Sequence, residues 1–308
     1  MKLPEMPVGA ASYAATLHNS KVYISAIGKN VNGKPVYPIL VYSITENRWS
    51  TLPEQQHGAA IAVANNQVTL IGGRDVSTMK VITTLSTWYE EGRWKQVLPP
   101  MPTGRARPAV ISHDNLLLVT GGKAENGFAL NTTDVLDLTT MKWTTPKGLD
   151  LPIPLRQHYL ALCGEYLYLV GGMTMFPRED HNSQAWRAKW SDVKQTAAPQ
   201  HSQPERGVWA KIADPHILRP TPVSCGGTLY TVGGQTRNGK PVSTVYTYFP
   251  DRNQWVSVGD MNVERVNPCA VPLSSNIILV AGGSVANKGK WAYSYSSLPE
   301  LLRTIVTV

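Results

Sequence analysis

The feature that most constrains this chain is a glycine pair that recurs about every 50 residues. Five such pairs close short apolar runs: Gly72-Gly73, Gly121-Gly122, Gly171-Gly172, Gly233-Gly234 and Gly282-Gly283. An earlier run, KVYISAIG, has Ala26-Ile27 in the corresponding place. A tryptophan follows these marks, as Trp49, Trp94, Trp143, Trp209 and Trp255. A period of this length indicates repeated structural units that stack on one another.

Each repeat contains four short runs, named a to d, separated by turns rich in Asn, Asp, Gly and Pro, which is typical of antiparallel strands. The third runs are ILVYSI, LSTWYE, TDVLDL, AWRAKW, TVYTYF and WAYSY. A single four-stranded sheet cannot bury both of its faces, so the units must stack around an axis. The sequence therefore predicts an all-β, six-bladed β-propeller of four-stranded antiparallel blades. It forms one domain with blades at 1–52, 53–99, 100–149, 150–213, 214–262 and 263–308.

This pattern resembles the kelch-repeat β-propellers. In that family a strand ending in Gly-Gly is followed by a tyrosine position and by a tryptophan about six residues beyond it. Tyr42/Trp49, Trp88/Trp94 and Tyr248/Trp255 fit, and Leu136/Trp143 is a substituted version. WD-repeat propellers fit less well, because no Trp-Asp dipeptide or Gly-His marker ends a repeat. The resemblance covers essentially the whole chain and is closest in style to the kelch domains of kelch-like substrate adaptors, which implies a protein-binding module.

Two repeats depart from the pattern. The sixth has no tryptophan, so we expect WAYSY as its strand c and 301–308 as its strand d, with Ile305 or Val306 replacing the tryptophan. With four strands at each end, the ring should close by packing of blades 1 and 6 without an exchanged strand. The fourth repeat is longer, and 191–207, SDVKQTAAPQHSQPERG, is predicted to be a mobile polar loop inserted between strands c and d.

Composition narrows the class of protein. The chain has 29 Lys and Arg against 21 Asp and Glu, yet its basic residues do not form long runs, which argues against nucleic acid as the partner. No apolar run reaches membrane-spanning length, and the N-terminus has no signal-peptide pattern. We therefore expect a cytoplasmic, monomeric propeller without membrane contact. The three cysteines, Cys163, Cys225 and Cys269, are interpreted as buried fillers in a reducing compartment.

The candidate binding residues surround one mouth of the propeller. In an antiparallel blade, the loop before strand a and the loop after strand b lie at the same end. Counting 14 residues back from each mark gives Ser12, Gly58, Arg107, Gln157, Arg219 and Pro268. From this ring, its neighbours and the b–c loops, we predict partner binding by Arg105, Arg107, Arg156, His158, Arg219, Arg265, His57 and Arg74.

A ring of arginines suits an acidic or polar peptide of a partner protein, because a guanidinium group can bind a carboxylate with two parallel hydrogen bonds. Arginines at the start of strand a resemble those of kelch-like substrate adaptors, which implies a substrate receptor or scaffold. The alternative is that Arg105, Arg107 and Arg219 only pair with neighbouring loop carboxylates.

Enzymatic functions have weaker support. Counting eight residues back from each mark gives His18, Ala64, His113, Cys163, Cys225 and Ser274. We expect these residues to fill turns rather than to bind a metal, and we interpret 178–181 (REDH) as a solvated loop tip. No catalytic residue, cofactor or metal site is predicted. The alternative function is a kelch-fold enzyme for small molecules, such as a sugar-acid mutarotase, which would also use an arginine-lined pocket.

Overall fold

In a computed structural model, the structure is described at residues 3–30, 32–53, 56–89, 91–175, 180–198, 207–286 and 293–304. The strands form six antiparallel blades, and strand a of each blade lies against strand a of the next, with the last beside the first. This arrangement confirms the predicted all-β, six-bladed propeller. Two-residue turns in left-handed conformation, such as Asn65-Asn66 and Asp114-Asn115, join strands a and b, as tight hairpins require.

The first three blades follow one another along the chain. Blade 1 contains β1 (Ala10–His18), β2 (Lys21–Lys29), β4 (Ile39–Ser43) and β5 (Arg48–Leu52), with the short β3 (Pro35–Val36) beside β2. Blade 2 contains β7 (Ala60–Ala64), β8 (Gln67–Ile71), β10 (Leu85–Tyr89) and β11 (Arg93–Lys95), and the short β6 (Gln56–His57) and β9 (Arg74–Asp75) pair with each other. Blade 3 contains β12 (Ala109–His113), β13 (Leu116–Thr120), β14 (Thr133–Asp137) and β15 (Lys142–Thr144), followed by a 3-10 turn at Lys147–Leu149.

The last three blades include the irregular repeats. Blade 4 contains β16 (Arg156–Cys163), β17 (Tyr166–Thr174), β19 (Ala185–Lys189) and β20 (Ala210–Ile212), with β18 (Asp180–His181) beside β17 and the helix α1 (Trp190–Ala197) after β19. Blade 5 contains β21 (Thr221–Cys225), β22 (Thr228–Val232), β23 (Thr244–Phe249) and β24 (Gln254–Asp260). Blade 6 contains β25 (Cys269–Ser274), β26 (Ile277–Ala281) and β29 (Glu300–Arg303), and β27 (Ser284–Ala286) pairs with β28 (Tyr293–Tyr295) as a separate ribbon.

The glycine pairs lie where neighbouring blades approach each other. Gly72 and Gly282 have φ of 63° and 68°, in the left-handed region. A Cβ added at Gly72 would collide with the carbonyl oxygen of Arg105, and one at Gly282 with that of Ala10. Only glycine combines this backbone with such a close approach, which explains why the pair recurs.

The tryptophans connect each blade to the segment that ends the preceding one. Their indole N–H groups donate to backbone carbonyls: Trp94 to Pro53 (3.0 Å), Trp143 to Pro99 (3.0 Å), Trp209 to Leu149 (3.4 Å) and Trp255 to Ala213 (2.9 Å). Trp49 makes the equivalent bond to Pro4, at 3.0 Å. The segment before β1 therefore occupies, beside blade 1, the place that the end of a blade occupies elsewhere.

Blade 6 differs from the prediction. Its third strand is β29, with Ile277 opposite Arg303 and Val280 opposite Glu300. Of the WAYSY segment, the described residues Tyr293–Tyr295 pair with β27 in the separate ribbon. The assignment of WAYSY to strand c and of Leu301–Arg303 to strand d was therefore wrong. The reason is that Glu300 pairs with the buried Arg265 while Leu301 and Leu302 pack on the core, which places this segment next to β26.

Closure of the ring uses the segment before β1 together with blades 1 and 6. Met6 is buried in one apolar cluster with Val22 and Leu40 of blade 1 and Val271 and Leu279 of blade 6. Its backbone N–H donates to the carbonyl of Ser297 at 2.9 Å. In the described part of the chain, the blade 6 sheet holds three strands and none of them comes from the N-terminus; residues 305–308, with Ile305 and Val306, lie outside the described residues.

The insertion in blade 4 is partly a packed helix. Trp190, Val193 and Ala197 of α1 are buried in a cluster with residues of blade 3 and blade 4. Trp190 and Lys194 also donate to Asp114 Oδ2, at 3.0 and 2.9 Å. The prediction of a mobile polar loop was therefore wrong for 191–197, because the apolar residues of this segment recur on one face of a helix. Residues 199–206 lie outside the described residues. Among the described elements, no helix is long and apolar enough to cross a membrane.

Candidate functional site

Residues at or just before the start of strand a form a ring at one mouth of the propeller. Gly58, Arg107, Gln157, Arg219 and Asn267 have φ between 50° and 64°, at equivalent points of successive blades. A left-handed backbone costs a non-glycine residue about 1 kcal/mol or more. Because this backbone conformation recurs around one mouth, we hypothesise that the side chains held there have a function.

Members of this ring line an open cavity of ≈ 270 Å³, together with Arg156 and Tyr13. Arg107 donates from Nη1 to Oε1 of Gln157 at 3.3 Å, and Arg156 donates from Nη1 to the same oxygen at 3.1 Å. Arg219 lines the cavity from the next blade. The mouth thus brings arginines from three successive blades to one cavity, and two of them share a neutral amide oxygen.

The cations at this mouth influence one another. Burial, followed by the charges of Arg107 and Arg219, lowers the pKa of Arg156 to about 10. The pKa of Lys123 is lowered by burial and then by Arg156, Arg74 and Arg107. Because these positive charges disfavour one another at short range, an anion at their centre would be stabilised.

An aromatic group forms the other side of the mouth. The Tyr13 hydroxyl and Nε2 of His57 are hydrogen-bonded at 3.2 Å, and the His57 ring stacks on Tyr37 with 3.7 Å between centroids. Arg107 connects the two sides, since its Nη2 lies 3.5 Å from the Tyr13 hydroxyl and its Cζ 5.2 Å from the ring centroid. Burial, then Arg107 and Arg74, lower the pKa of His57 to about 4, and burial raises that of Tyr13 to about 12. Both side chains are therefore neutral near pH 7.

The structure corrects the prediction for Arg105 and Arg265. Both side chains are 0% exposed inside their own blades, where Arg105 pairs with Asp134 at 2.7 Å and Arg265 with Glu300 at 2.8 Å. Each also donates to the carbonyl of the first glycine of the pair, Gly121 at 2.8 Å and Gly282 at 2.7 Å. Neither guanidinium can reach a partner. From the sequence, Arg105 and Arg265 cannot be distinguished from Arg107 and Arg219, because all four lie in linkers that precede a strand a.

His158, His57 and Arg74 occupy three different environments. His158 is buried between blades 3 and 4, with Nε2 2.8 Å from the Thr120 hydroxyl, so it does not line the mouth as predicted. His57 lies at the mouth but is buried beneath Tyr13 and Tyr37. Arg74 lies at the rim, where Nη1 donates to the carbonyl of Met79 at 2.6 Å and is 3.9 Å from Glu125.

The sequence prediction missed several residues of this mouth. Tyr13 and Tyr295 line the cavity, and His181 in β18 has its pKa lowered by burial and by Arg219. Asp180 and His181 are thus part of blade 4 and not a loop tip, whereas Arg178 and Glu179 lie outside the described residues. Tyr13 could have been found from the sequence, since it directly follows the ring position Ser12. His181 could not, because its position depends on β18 folding back onto β17.

The opposite mouth holds the ends of the a strands. His18, Ala64, His113, Cys163, Cys225 and Ser274 each end a strand a. The three cysteines are free and buried. Within the described ranges, no three His, Cys, Asp or Glu side chains are placed to hold a metal ion together.

The chain is similar to known proteins along most of its length. Residues 12–208 match the KLHDC2/KLHL20/DRC7 Kelch-repeats domain, and residues 218–262 match the Kelch motif. Kelch-like protein 38 of Rattus norvegicus is 22% identical over 264 residues, which cover 83% of this chain and 41% of that protein. Kelch-like protein 41b of Danio rerio is 26% identical over 185 residues, 58% of this chain and 30% of that protein. The chain thus spans well under half the length of these relatives.

A solved structure has the same fold. The structure of YjhT superposes with a TM-score of 0.74 over 99% of this chain and 98% of that one, at 15% sequence identity. At this identity the likeness concerns the fold alone. The family match over residues 12–208 and the six blades show that this chain belongs to the kelch-repeat family of β-propellers.

Proposed function

We propose that this propeller is a protein-interaction module that binds an acidic or polar segment of a partner protein at the mouth lined by Arg107, Arg156 and Arg219. One observation carries the proposal: two guanidinium groups from adjacent blades converge on Gln157 Oε1 in an open cavity of ≈ 270 Å³. A carboxylate entering this cavity would offer these donors a charged acceptor in place of a neutral one. Charge-assisted hydrogen bonds of this kind are about twice as strong as neutral ones.

The aromatic side of the mouth supplies a second type of contact. Tyr13 and Tyr295 are half-buried at the cavity, and Tyr37 is half-buried against His57. Tyrosine presents a large apolar face at low conformational cost, which favours its use at binding surfaces. We therefore expect the bound segment to place its acidic side chain against the arginines and an apolar side chain against the tyrosines.

The experiment compares Arg107→Ala, Arg219→Ala and the double variant with the wild-type chain, using a library of acidic peptides. Each single substitution should cost about 1.5–3 kcal/mol of binding free energy, as expected for a hydrogen bond to a charged group. Affinity should also fall as salt concentration rises, because salt screens part of the attraction. Arg252→Ala is the matched control, since Arg252 is exposed in the c–d turn of blade 5 at the opposite mouth. Unchanged affinity in the double variant would refute the proposal.

A role as a substrate receptor or scaffold, a cytoplasmic location and a monomeric state remain part of the same proposal. Support for the role comes from the relatives, which are named as kelch-like proteins. Light scattering on purified protein measures the oligomeric state. A stable dimer that occludes Arg107 would contradict binding through this mouth.

A second candidate function, a sugar-acid mutarotase, is favoured by the hydrogen bond between Tyr13 and His57 next to Arg107. In such an enzyme the arginines would hold the carboxylate of the sugar acid, and Tyr13 with the neutral His57 would exchange a proton with the anomeric hydroxyl. Exchange of anomers measured by NMR tests this function on a panel of sugar acids. Acceleration that is lost in Tyr13→Phe would support it, and the uncatalysed rate with every substrate would exclude it for that panel.

A further inference from the structure

We propose that the anion recognised at this mouth is a phosphoryl group on a serine or threonine of the partner segment, an inference that rests on the proposed function. The geometry points to it because donors from three successive blades surround one cavity. Arg107 comes from the linker before blade 3, Arg156 from the start of blade 4, and Arg219 from the linker before blade 5. Donors arranged around a volume, rather than along one edge, match an acceptor that offers oxygens in several directions.

The number and direction of the donors favour a tetrahedral acceptor. A carboxylate has two oxygens in one plane and is well satisfied by a single forked guanidinium group. A phosphoryl group has three free oxygens that point away from one another. At this mouth Arg107 and Arg156 already approach one point, Gln157 Oε1, from different blades. A phosphoryl oxygen that displaces the Gln157 side chain and takes the place of its Oε1 would leave two more oxygens for Arg219 and for the hydroxyl of Tyr13, which also line the cavity.

The electrostatics of the mouth are consistent with this geometry. Arg74 and Lys123 also lie near this mouth, close enough that Arg74, Arg107 and Arg156 all contribute to lowering the pKa of Lys123. A phosphoserine carries a charge of about −1.5 to −2 near neutral pH, against −1 for glutamate. The repulsion among these cations is therefore relieved more by a phosphoryl group than by a carboxylate.

The test measures fluorescence anisotropy of the full 308-residue chain with three peptide pools. The pools have the same degenerate flanks and differ only in the central residue, which is serine, glutamate or phosphoserine. We expect the phosphoserine pool to bind at least about tenfold more tightly than the glutamate pool, because more charge-assisted hydrogen bonds form. Free O-phosphoserine and inorganic phosphate, added as competitors, should displace it only at much higher concentration.

Two variants locate the binding. Gln157→Glu places a carboxylate where Arg107 and Arg156 converge, so it should occupy both donors and abolish phosphopeptide binding while leaving the thermal midpoint unchanged or higher. Arg107→Ala should weaken binding, and Arg252→Ala, at the opposite mouth, should not. Circular dichroism melting curves verify that each variant is folded.

The outcomes separate this inference from the proposed function. Equal binding of the glutamate and phosphoserine pools would overturn the phosphoryl inference but leave the proposed function standing. Binding of neither pool above the serine pool would overturn both. Inorganic phosphate or O-phosphoserine competing at the concentration of the peptide would overturn the peptide as the source in favour of a small phosphorylated molecule. Phosphopeptide binding that persists in Gln157→Glu and Arg107→Ala would show that the site lies elsewhere.

Discussion

Arg105 and Arg107 belong to the same short linker, yet the structure places them in opposite roles. Arg105 is fully buried and pairs with Asp134, whereas Arg107 is half-buried and lies between Gln157 and Tyr13 at the mouth. In an extended segment, residues two apart point to the same side. The left-handed backbone at Arg107, with φ of 55°, breaks this relation. Two arginines of one motif therefore serve stability and binding separately.

The same division recurs in other blades. Gln56 takes the place of Arg105 in blade 2 and donates from Nε2 to the carbonyl of Gly72 at 2.7 Å. In blade 4 a residue from a different segment, Asn182, makes this bond to Gly171 at 2.7 Å. The carbonyl of the first glycine therefore accepts a side-chain hydrogen bond in each of these blades, although the donor residue and its segment differ. The residue equivalent to Arg107 is Gly58 in blade 2, Gln157 in blade 4 and Asn267 in blade 6, and Gln157 and Asn267 line the cavity.

The largest effect should come from Arg105→Ala. This variant leaves Asp134 buried without its cation and removes the donor to the carbonyls of Gly121 and Thr132. Breaking one side of a buried ion pair costs about 3–5 kcal/mol of unfolding free energy. Urea denaturation measures the loss, and Arg107→Ala is the control, with an expected change below about 1 kcal/mol. Equal losses of unfolding free energy in the two variants would contradict the separate roles of Arg105 and Arg107.

Two histidines, one beside Arg105 and one beside Arg107, allow the roles of these arginines to be compared by measuring stability as a function of pH. Burial and then Arg105 lower the pKa of His158 to about 3, and burial, Arg107 and Arg74 lower that of His57 to about 4. Because the unfolded chain binds protons that the folded chain rejects, this stability is complete above about pH 6.5 and is lost as the pH falls toward about 4 for His57 and about 3 for His158. Denaturation at several pH values measures the slope, which should be smaller in His158→Gln. In Arg107→Ala, an NMR titration should show that the pKa of His57 is raised and that the pKa of His158 is unchanged.

A smaller effect of opposite sign is expected for Arg107→Gly. Glycine adopts the left-handed backbone without the steric cost of a Cβ, but it also increases the entropy of the unfolded chain. The net change should lie between no effect and a gain of about 1 kcal/mol in stability, while binding of the acidic segment is lost. Thermal unfolding and the peptide assay measure the two quantities on the same sample. A clear loss of stability would mean that the Arg107 side chain supports the fold.

The smallest effect is expected for Arg93→Ala. Arg93 lies on the outer strand of blade 2 and pairs with Glu91 at 3.1 Å in solvent. Exposed pairs of this kind contribute little to stability. Neither the melting temperature nor peptide binding should change measurably. This result would distinguish an arginine that lies only on the surface from the buried Arg105 and from Arg107 at the mouth. Weakened peptide binding in this variant would show that net charge, rather than the mouth, governs affinity.

Much of the fold could be predicted from the sequence, because the repeat records local requirements. The glycine pairs mark backbone that a side chain would obstruct, and Tyr42 opposite Trp49 or Tyr248 opposite Trp255 are neighbours on paired strands. Blade 6 and α1 could not be assigned in the same way. In blade 6 the buried pair of Arg265 and Glu300 selects the third strand, and this contact joins residues far apart in the chain. In α1 a helical pattern of only three buried residues was hidden in a polar segment.

The sequence by itself determined the number of blades, the order of strands a to d in the first five blades and most of the ring positions at the mouth, since each depends on spacing that repeats along the chain. The roles of individual side chains were decided only by the tertiary structure. Whether an arginine is buried in its blade or exposed to the cavity depends on one backbone conformation and on an acidic partner from a later strand, as for Arg105 and Asp134. Likewise, the convergence of Arg107 and Arg156 on Gln157 exists because adjacent blades bring separate segments together. A contact between blades has no signature in the residues of either blade alone.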